Sequence, residues 1–253
     1  MDATNFLTAS NASIEAFKTA NLLKSLFINL LIVGERGVGK KQLASYILPN
    51  APIISAQNHN ELISAIESSD EVIISNIDKS SNLQIVVENI SKFKPKVIII
   101  GSSNTDYKQL NDICGINISL PPLSQRLEDA KLLLNEFILE AEKLFDTSYS
   151  LDIDINELDL SQNAISLKKQ IFFRVMMQGI DENEIMSLIE HYLNDKIGTQ
   201  SDYRNFIYLY EVPLINAGFK KFGSQFKMSD MFGLNRNTLR KKISENSKYL
   251  KDI

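Results

Sequence analysis

Short apolar runs recur through the first half of the chain at Ile28–Val33, Pro52–Ser55, Val72–Ser75, Lys96–Ile100 and Ile116–Leu120, with longer amphipathic segments between them. Short apolar runs alternating with helical segments predict a mostly parallel sheet covered by helices on both faces. The pattern changes at Pro121-Pro122. From Arg126 to Phe145 the apolar residues Leu127, Ala130, Leu134, Phe137, Ile138, Ala141 and Leu144 fall at helical spacing. Helical patterns resume over Ile165–Met177 and Asp181–Leu193, where Asp181 and Glu184 are set as a capping box. The acidic stretch Asp146–Asp159 reads as a loop with room for one short element, and Lys196–Asp202 reads as a linker. The expected organisation is an α/β domain over 1–120, a helical subdomain over 121–197 and an all-α module over 202–253.

Between the first strand and a helix expected at Gln42–Leu48 stand Gly34-Glu35-Arg36-Gly37-Val38-Gly39-Lys40-Lys41. A glycine-rich strand-to-helix turn lets backbone N–H groups close on phosphate oxygens at a helix N-terminus, and Lys40 adds a point charge. Gly34, Glu35, Gly37, Val38, Gly39, Lys40 and Lys41 are therefore the candidate nucleotide-binding residues. The general pattern places Ser or Thr after the lysine to hold magnesium, and that position is Lys41. The competing reading is a glycine-rich turn that binds nothing.

At 253 residues and 44% hydrophobic content the chain has length for one sizeable core and a smaller module. Its one cysteine, Cys114, excludes an internal disulfide framework and fits a reducing cytosol, where a lone thiol is more often packed than reactive. With no leader-like segment and no apolar run near twenty residues, a soluble cytoplasmic protein with no membrane partner is expected. The net charge of −4 is unevenly spread: from Lys220 to Lys251 nine basic residues face two acidic ones, +7, leaving −11 for the rest. A basic tail on an acidic body points to a polyanionic partner.

Within that tail a helical segment ends at Phe232-Gly233, Gly233-Leu234-Asn235 form a turn, and a second helix starts at Arg236, with Asn235 placed to cap it. Two helices joined by a short glycine-containing turn, the second one basic, are the signature of a helix-turn-helix motif for double-stranded DNA. Leu234, Leu239 and Ile243 are expected to face the core. Arg236 and Asn237 are candidates for base edges, and Thr238, Arg240, Lys241 and Lys242 for phosphates, with Asn235 at the helix start.

The stretches Tyr210–Ile215 and Met231-Phe232-Gly233-Leu234-Asn235-Arg236-Asn237-Thr238-Leu239-Arg240-Lys241-Lys242 resemble the Fis-type C-terminal domain of bacterial sigma-54 activators of the NtrC class. One departure is Met228-Ser229, where that family usually has two alanines at a helix crossing. The resemblance extends backwards: Gly34–Lys40 is similar to the family's GExGxGK loop, Lys96–Asn104 to its sensor strand, and Leu120–Asp129 to its LPPLRERxED stretch. It begins near Ser13, so no receiver domain is expected. The resemblance implies a P-loop AAA+ parallel sheet with a helical subdomain, then a Fis-type helix-turn-helix domain. It also implies ATP or ADP as ligand, RNA polymerase sigma-54 or an intact AAA+ activator as partner, and pairing of two chains through the first helix of the C-terminal domain. Phe206, Tyr210, Leu214 and Ala217 would form that seam, or else the module's own core.

Several family features are missing. The Asp-Glu pair expected after the second strand is Ser75-Asn76, which leaves magnesium poorly held and no carboxylate to polarise water. Only about thirty residues precede that strand after the loop, with no GAFTGA-like sequence. Thr105–Leu110 contains no arginine, and Ile165 stands where the second sensor arginine should be. The resemblance therefore implies a DNA-binding regulator with a degenerate AAA+ domain and no catalytic residues. Its alternatives are an active ATPase recruiting Asp78 and a non-catalytic adaptor. His59, His191 and Cys114 are too scattered for a metal site. Asp70-Glu71 and Asp152 with Asp154 read as solvated turn charges, and Ser124 lacks a histidine partner.

Overall fold

The computed structural model describes residues 6–105, 107–148 and 153–250, so Asp106 and Asp152 of the sequence reading lie outside the described residues. The chain divides into two compact units between Ile180 and Asp181.

In the first unit β1 (Leu30–Gly34), β2 (Ile53–Ser55), β3 (Glu71–Ser75), β4 (Lys96–Gly101) and β5 (Ile116–Leu120) form one parallel sheet in the order β2-β3-β4-β1-β5. β1, β3 and β4 lack polar alternation because both of their faces are covered, whereas the edge strand β5 alternates and exposes Asn117 and Ser119. Ile73, Ile98 and Ile100 pack against α1 (Asn11–Lys24) and α2 (Lys40–Ile47). Their neighbours Val72, Ile74, Val97 and Ile99 point the other way, towards α3 (His59–Ser68) and α4 (Leu83–Phe93). The first strand starts at Leu30 rather than Ile28. The Asn29 side chain accepts from the Val97 amide at 2.9 Å and takes over the ladder's role.

The apolar stripe after Pro121-Pro122 forms α5 (Leu127–Phe145), which packs on α6 (Ala164–Gln178) around Leu134, Phe137, Leu167 and Ile171. The stripe is wider than the buried face, so Leu127 and Leu144 lie exposed. Within the described part of 146–159 one short element occurs, a 3-10 turn at Ile155–Glu157 capped by Asp154.

The second unit holds α7 (Glu182–Asn194), α8 (Asp202–Phe206), α9 (Tyr208–Phe222), α10 (Gln225–Met231) and α11 (Arg236–Glu245). Asp181 and Glu184 form the capping box. The boundary between units falls before α7, not in Lys196–Asp202. No residue of α7 is buried, while its Ile189 and Leu193 line a groove with Phe206, Ile207 and Leu209. A small core of Ile215, Met228 and Leu239, flanked by Phe219, Phe232, Leu234 and Ile243, joins α9, α10 and α11. The larger side chain at Met228 fits because α9 presents Gly218 to it: a Cβ there would lie 2.6 Å from Phe232 Cζ and 2.9 Å from Met228 Cε.

Candidate functional site

The glycine-rich loop joins the C-terminal end of β1 to the start of α2, at the edge where parallel α/β sheets bind ligands. Gly37 has φ +85°, and a Cβ on it would sit 2.6 Å from the Gln162 carbonyl oxygen, so only glycine fits. Lys40 donates from Nζ to the Gly34 carbonyl and, at 2.8 Å, to the Glu35 carbonyl. Burial lowers its pKa, while the charges of Asp78 and Glu35 act against that shift. Lys40 and the exposed Lys41 open α2, whose first turn holds no acidic residue. Two cations at the positive end of a helix are an arrangement that an anion relieves.

The loop is held by residues that the sequence reading did not assign to it. Asn163 is buried with φ +55°. Its Nδ2 donates to Glu35 Oε2 and the Arg36 carbonyl, both at 3.0 Å, and its Oδ1 accepts from the Leu123 amide. Arg126, also buried, donates to the Val38 carbonyl at 2.9 Å and the Pro121 carbonyl at 3.0 Å. Arg126 lies in the Leu120–Asp129 stretch singled out by the family resemblance, and Asn163 stands two residues before Ile165; neither placement reveals what the side chain touches.

Beside the loop opens a cavity of about 1120 Å³, above the roughly 300–1,000 Å³ of ordinary ligand sites. All seven candidate loop residues line it. On α6 the positions Ala164, Ile165, Lys168, Lys169 and Phe172 face it at helical spacing, so two lysines stand within one turn of Ile165. Lys168 is paired with Glu140 at 2.6 Å; Lys169 is exposed.

At the end of β3, buried Ser75 donates to the Ile54 carbonyl at 3.2 Å and Asn76 donates to Ser55 Oγ at 3.3 Å. Asp78, two residues on in a 3-10 turn, also lines the cavity. Tyr107 folds over Gly101 at the end of β4, where no side chain could fit, and donates to the Ser102 carbonyl at 2.9 Å. Cys114 is buried, which pushes its thiol pKa up to about 12. Among the described residues no group of three or more His, Cys, Asp or Glu could hold a metal ion, and no helix is long and apolar enough to cross a membrane.

In the second unit Asn235 accepts from the Thr238 amide at 3.0 Å and caps α11. Gly233, at φ +63°, turns the chain between α10 and α11, and Leu239 roots α11 in the core. Asn235, Arg236, Asn237, Thr238, Arg240 and Lys241 are exposed, and the Arg236 guanidinium lies 4.0 Å from the Phe226 ring centroid. Lys242 stands apart from the six. It turns inward to an ion pair with Glu211 of α9, whose second oxygen accepts from Asn246 Nδ2 at 3.0 Å. Of the four seam candidates, Tyr210 and Ala217 are exposed, Phe206 and Leu214 are half-buried, and none joins the buried core.

No family model matches the sequence, and no curated protein is significantly similar to it. Solved structures are similar in fold. NtrX from Brucella abortus in complex with ADP aligns with a TM-score of 0.57 at 16% identity, over 96% of this chain and 70% of that one. The same protein in complex with ATP gives 0.57 at 16%, over 95% and 69%. A third structure of it gives 0.56 at 14%, over 94% and 68%. At such identity the likeness is one of fold, and it agrees with the five-stranded parallel sheet of this chain's α/β unit.

Proposed function

We propose that this chain is a DNA-binding transcriptional regulator of the sigma-54 activator type, whose AAA+ domain binds ATP or ADP and hydrolyses it poorly. The observation that carries DNA binding is the outer face of α11, where Arg236, Asn237, Thr238, Arg240 and Lys241 are exposed on a helix capped by Asn235 and rooted by Leu239. A short basic helix after a tight turn enters the major groove, with its N-terminal residues at base edges and later ones on phosphates. Lys242 has a different role in this reading, because Glu211 takes up its charge. Tyr210, Leu214 and Ala217 on one side of α9, with Phe206, form the seam of a two-fold dimer, which sets half-sites about 34 Å apart.

Nucleotide binding is supported by the cavity beside the loop and the two cations at the start of α2. The NtrX structures of similar fold were solved with ADP and with ATP. Poor hydrolysis follows from Ser75-Asn76 and the arginine-free Thr105–Leu110, since an arginine finger alone is worth about a thousandfold or more.

A map of the DNA bound in the native cell, with Arg240→Ala as control, tests the regulator reading. Discrete sites lost in the variant are expected, and a blank map would sink it. For the nucleotide, ADP should raise the thermal midpoint of the wild type but not of Lys40→Ala. One observation favours the ATPase alternative: Asp78 lines the cavity. Vigorous ATP turnover abolished by Asp78→Asn would establish that alternative.

A further inference from the structure

The phosphate loop and the chain's first described segment are tied to one buried pair. Asp129, 1% exposed, opens the second half of the first turn of α5 and accepts four bonds from the stretch that leads into α1. Its Oδ1 takes the Ala9 amide at 2.7 Å, the Ser10 amide at 2.8 Å and the Ser13 hydroxyl at 2.8 Å; its Oδ2 takes the Ser10 hydroxyl at 2.8 Å. Burial pushes this carboxyl up, but the Ser10 and Ala9 amides and the Ser13 and Ser10 hydroxyls outweigh it, so its pKa is lowered. The fifth donor is Arg126 Nη1 at 3.0 Å.

That guanidinium spreads its fork three ways: Nη1 to Asp129, Nη2 to the Val38 carbonyl in the middle of the phosphate loop, and Nε to the Pro121 carbonyl beyond β5. The segment bound to Asp129 returns to the same loop at its other end. Phe6 is buried, and its ring lies 3.1 Å from where a Cβ on Gly39 would be, while Leu7 lines the cavity. A closed circuit results, running from Val38 through Arg126, Asp129 and Ser10 to Phe6 and back to Gly39. Val38, Arg126, Asp129, Ser10 and Phe6 are buried and Gly39 is half-buried, and Arg and Asp are seldom buried fully unless paired. A planar guanidinium serves three acceptors in fixed directions, which an ammonium on a flexible stem cannot reproduce.

We infer that Arg126 and Asp129 are positioning residues for a nucleoside polyphosphate: they hold residues 6–13 and the phosphate loop as one body, so that both walls of the cavity keep their spacing before the ligand arrives. The inference rests on the nucleotide reading above. Ordering a loop on binding costs affinity, and a loop already held avoids that cost.

Arg126→Lys keeps a cation beside Asp129 but loses the fork. Binding of N-methylanthraniloyl-ATP to the full chain should weaken at least tenfold, with the ligand-free thermal midpoint within a few degrees of wild type. Hydrogen exchange should rise in residues 6–13 and 35–41 together, while β3 and β4 keep their protection. Wild-type affinity in Arg126→Lys would mean that the pair only neutralises a buried charge, and the inference falls while the nucleotide reading stands. Should that variant fail to fold, Ser13→Ala, which deletes one of Asp129's bonds, should weaken binding about threefold with the same exchange pattern; unchanged affinity there overturns the inference. No binding by the wild type overturns both.

Discussion

Lys40 is where a single ionisation decides the most. Its pKa is lowered from 10.5 by burial, with Asp78 and Glu35 pulling the other way. A lysine whose folded pKa lies below its unfolded value holds its charge at a cost, and that cost disappears as pH rises through the folded pKa. Affinity for a polyphosphate moves oppositely, because the neutral amine gives up its attraction for phosphate. Titration calorimetry with ADP should therefore show binding weakening as pH rises, beginning below 10.5; pH-independent binding up to that value would remove Lys40 from the phosphate contacts. Cys114 is a second residue-scale case. With its thiol pKa pushed up to about 12 and its side chain buried, it should resist a thiol-specific chromogenic reagent at pH 8 and react only on unfolding. Rapid labelling of the native chain would contradict the packing. The sequence marked Lys40 by its place after two glycines, but not the burial that lowers its pKa or the Asp78 charge that opposes it.

At the scale of elements, the helix crossing in the second unit rests on one small residue. Adding a methyl at Gly218 of α9 meets Phe232 and Met228 at 2.6 and 2.9 Å. Overpacking of this kind costs about 1–3 kcal/mol, against about 1 kcal/mol of regained helix propensity. Gly218→Ala should therefore leave the second unit neutral to about 2 kcal/mol less stable in denaturant unfolding, and Met228→Ala in the same chain should relieve the clash at Met228. Additivity of the two changes would show that they do not share a contact. The caps behaved as their local sequence implies: Asp181 with Glu184, and Asn235 with the Thr238 amide, since a cap needs only residues within one turn. Asn235→Ala should cost about 1 kcal/mol, read as a lower denaturant midpoint of the second unit. The family resemblance flagged Met228 as a departure; the compensating Gly218 could not be paired with it until the helices were seen to cross.

For the whole molecule the decisive quantity is how charge is divided between solvent and internal partners. The +7 of the last part of the chain includes Lys242, yet Lys242 is bound to Glu211. If α11 docks on DNA, Arg240→Ala or Lys241→Ala should flatten the slope of log affinity against log salt by about 0.9. Lys242→Ala should leave that slope unchanged while lowering the denaturant midpoint of the second unit, because Glu211 loses its cation. An equal drop in slope for Lys242→Ala would return it to the phosphate contacts. What the sequence by itself determined about this protein is local or periodic: the parallel sheet, through short apolar runs alternating with helical segments; the glycine-rich loop between strand and helix; the capped basic helix; and the Ser75-Asn76 substitution. Tertiary structure alone decided which polar residues are consumed in holding the frame. Asn163 and Arg126 grip the glycine-rich loop, Asp129 grips residues 9–13, Glu211 claims Lys242, and α7 falls with the second unit. The physical reason is that hydrogen-bond partners 30 to 130 residues apart along the chain leave no periodic trace, since burial and pairing depend on where elements pack and not on the order in which they occur.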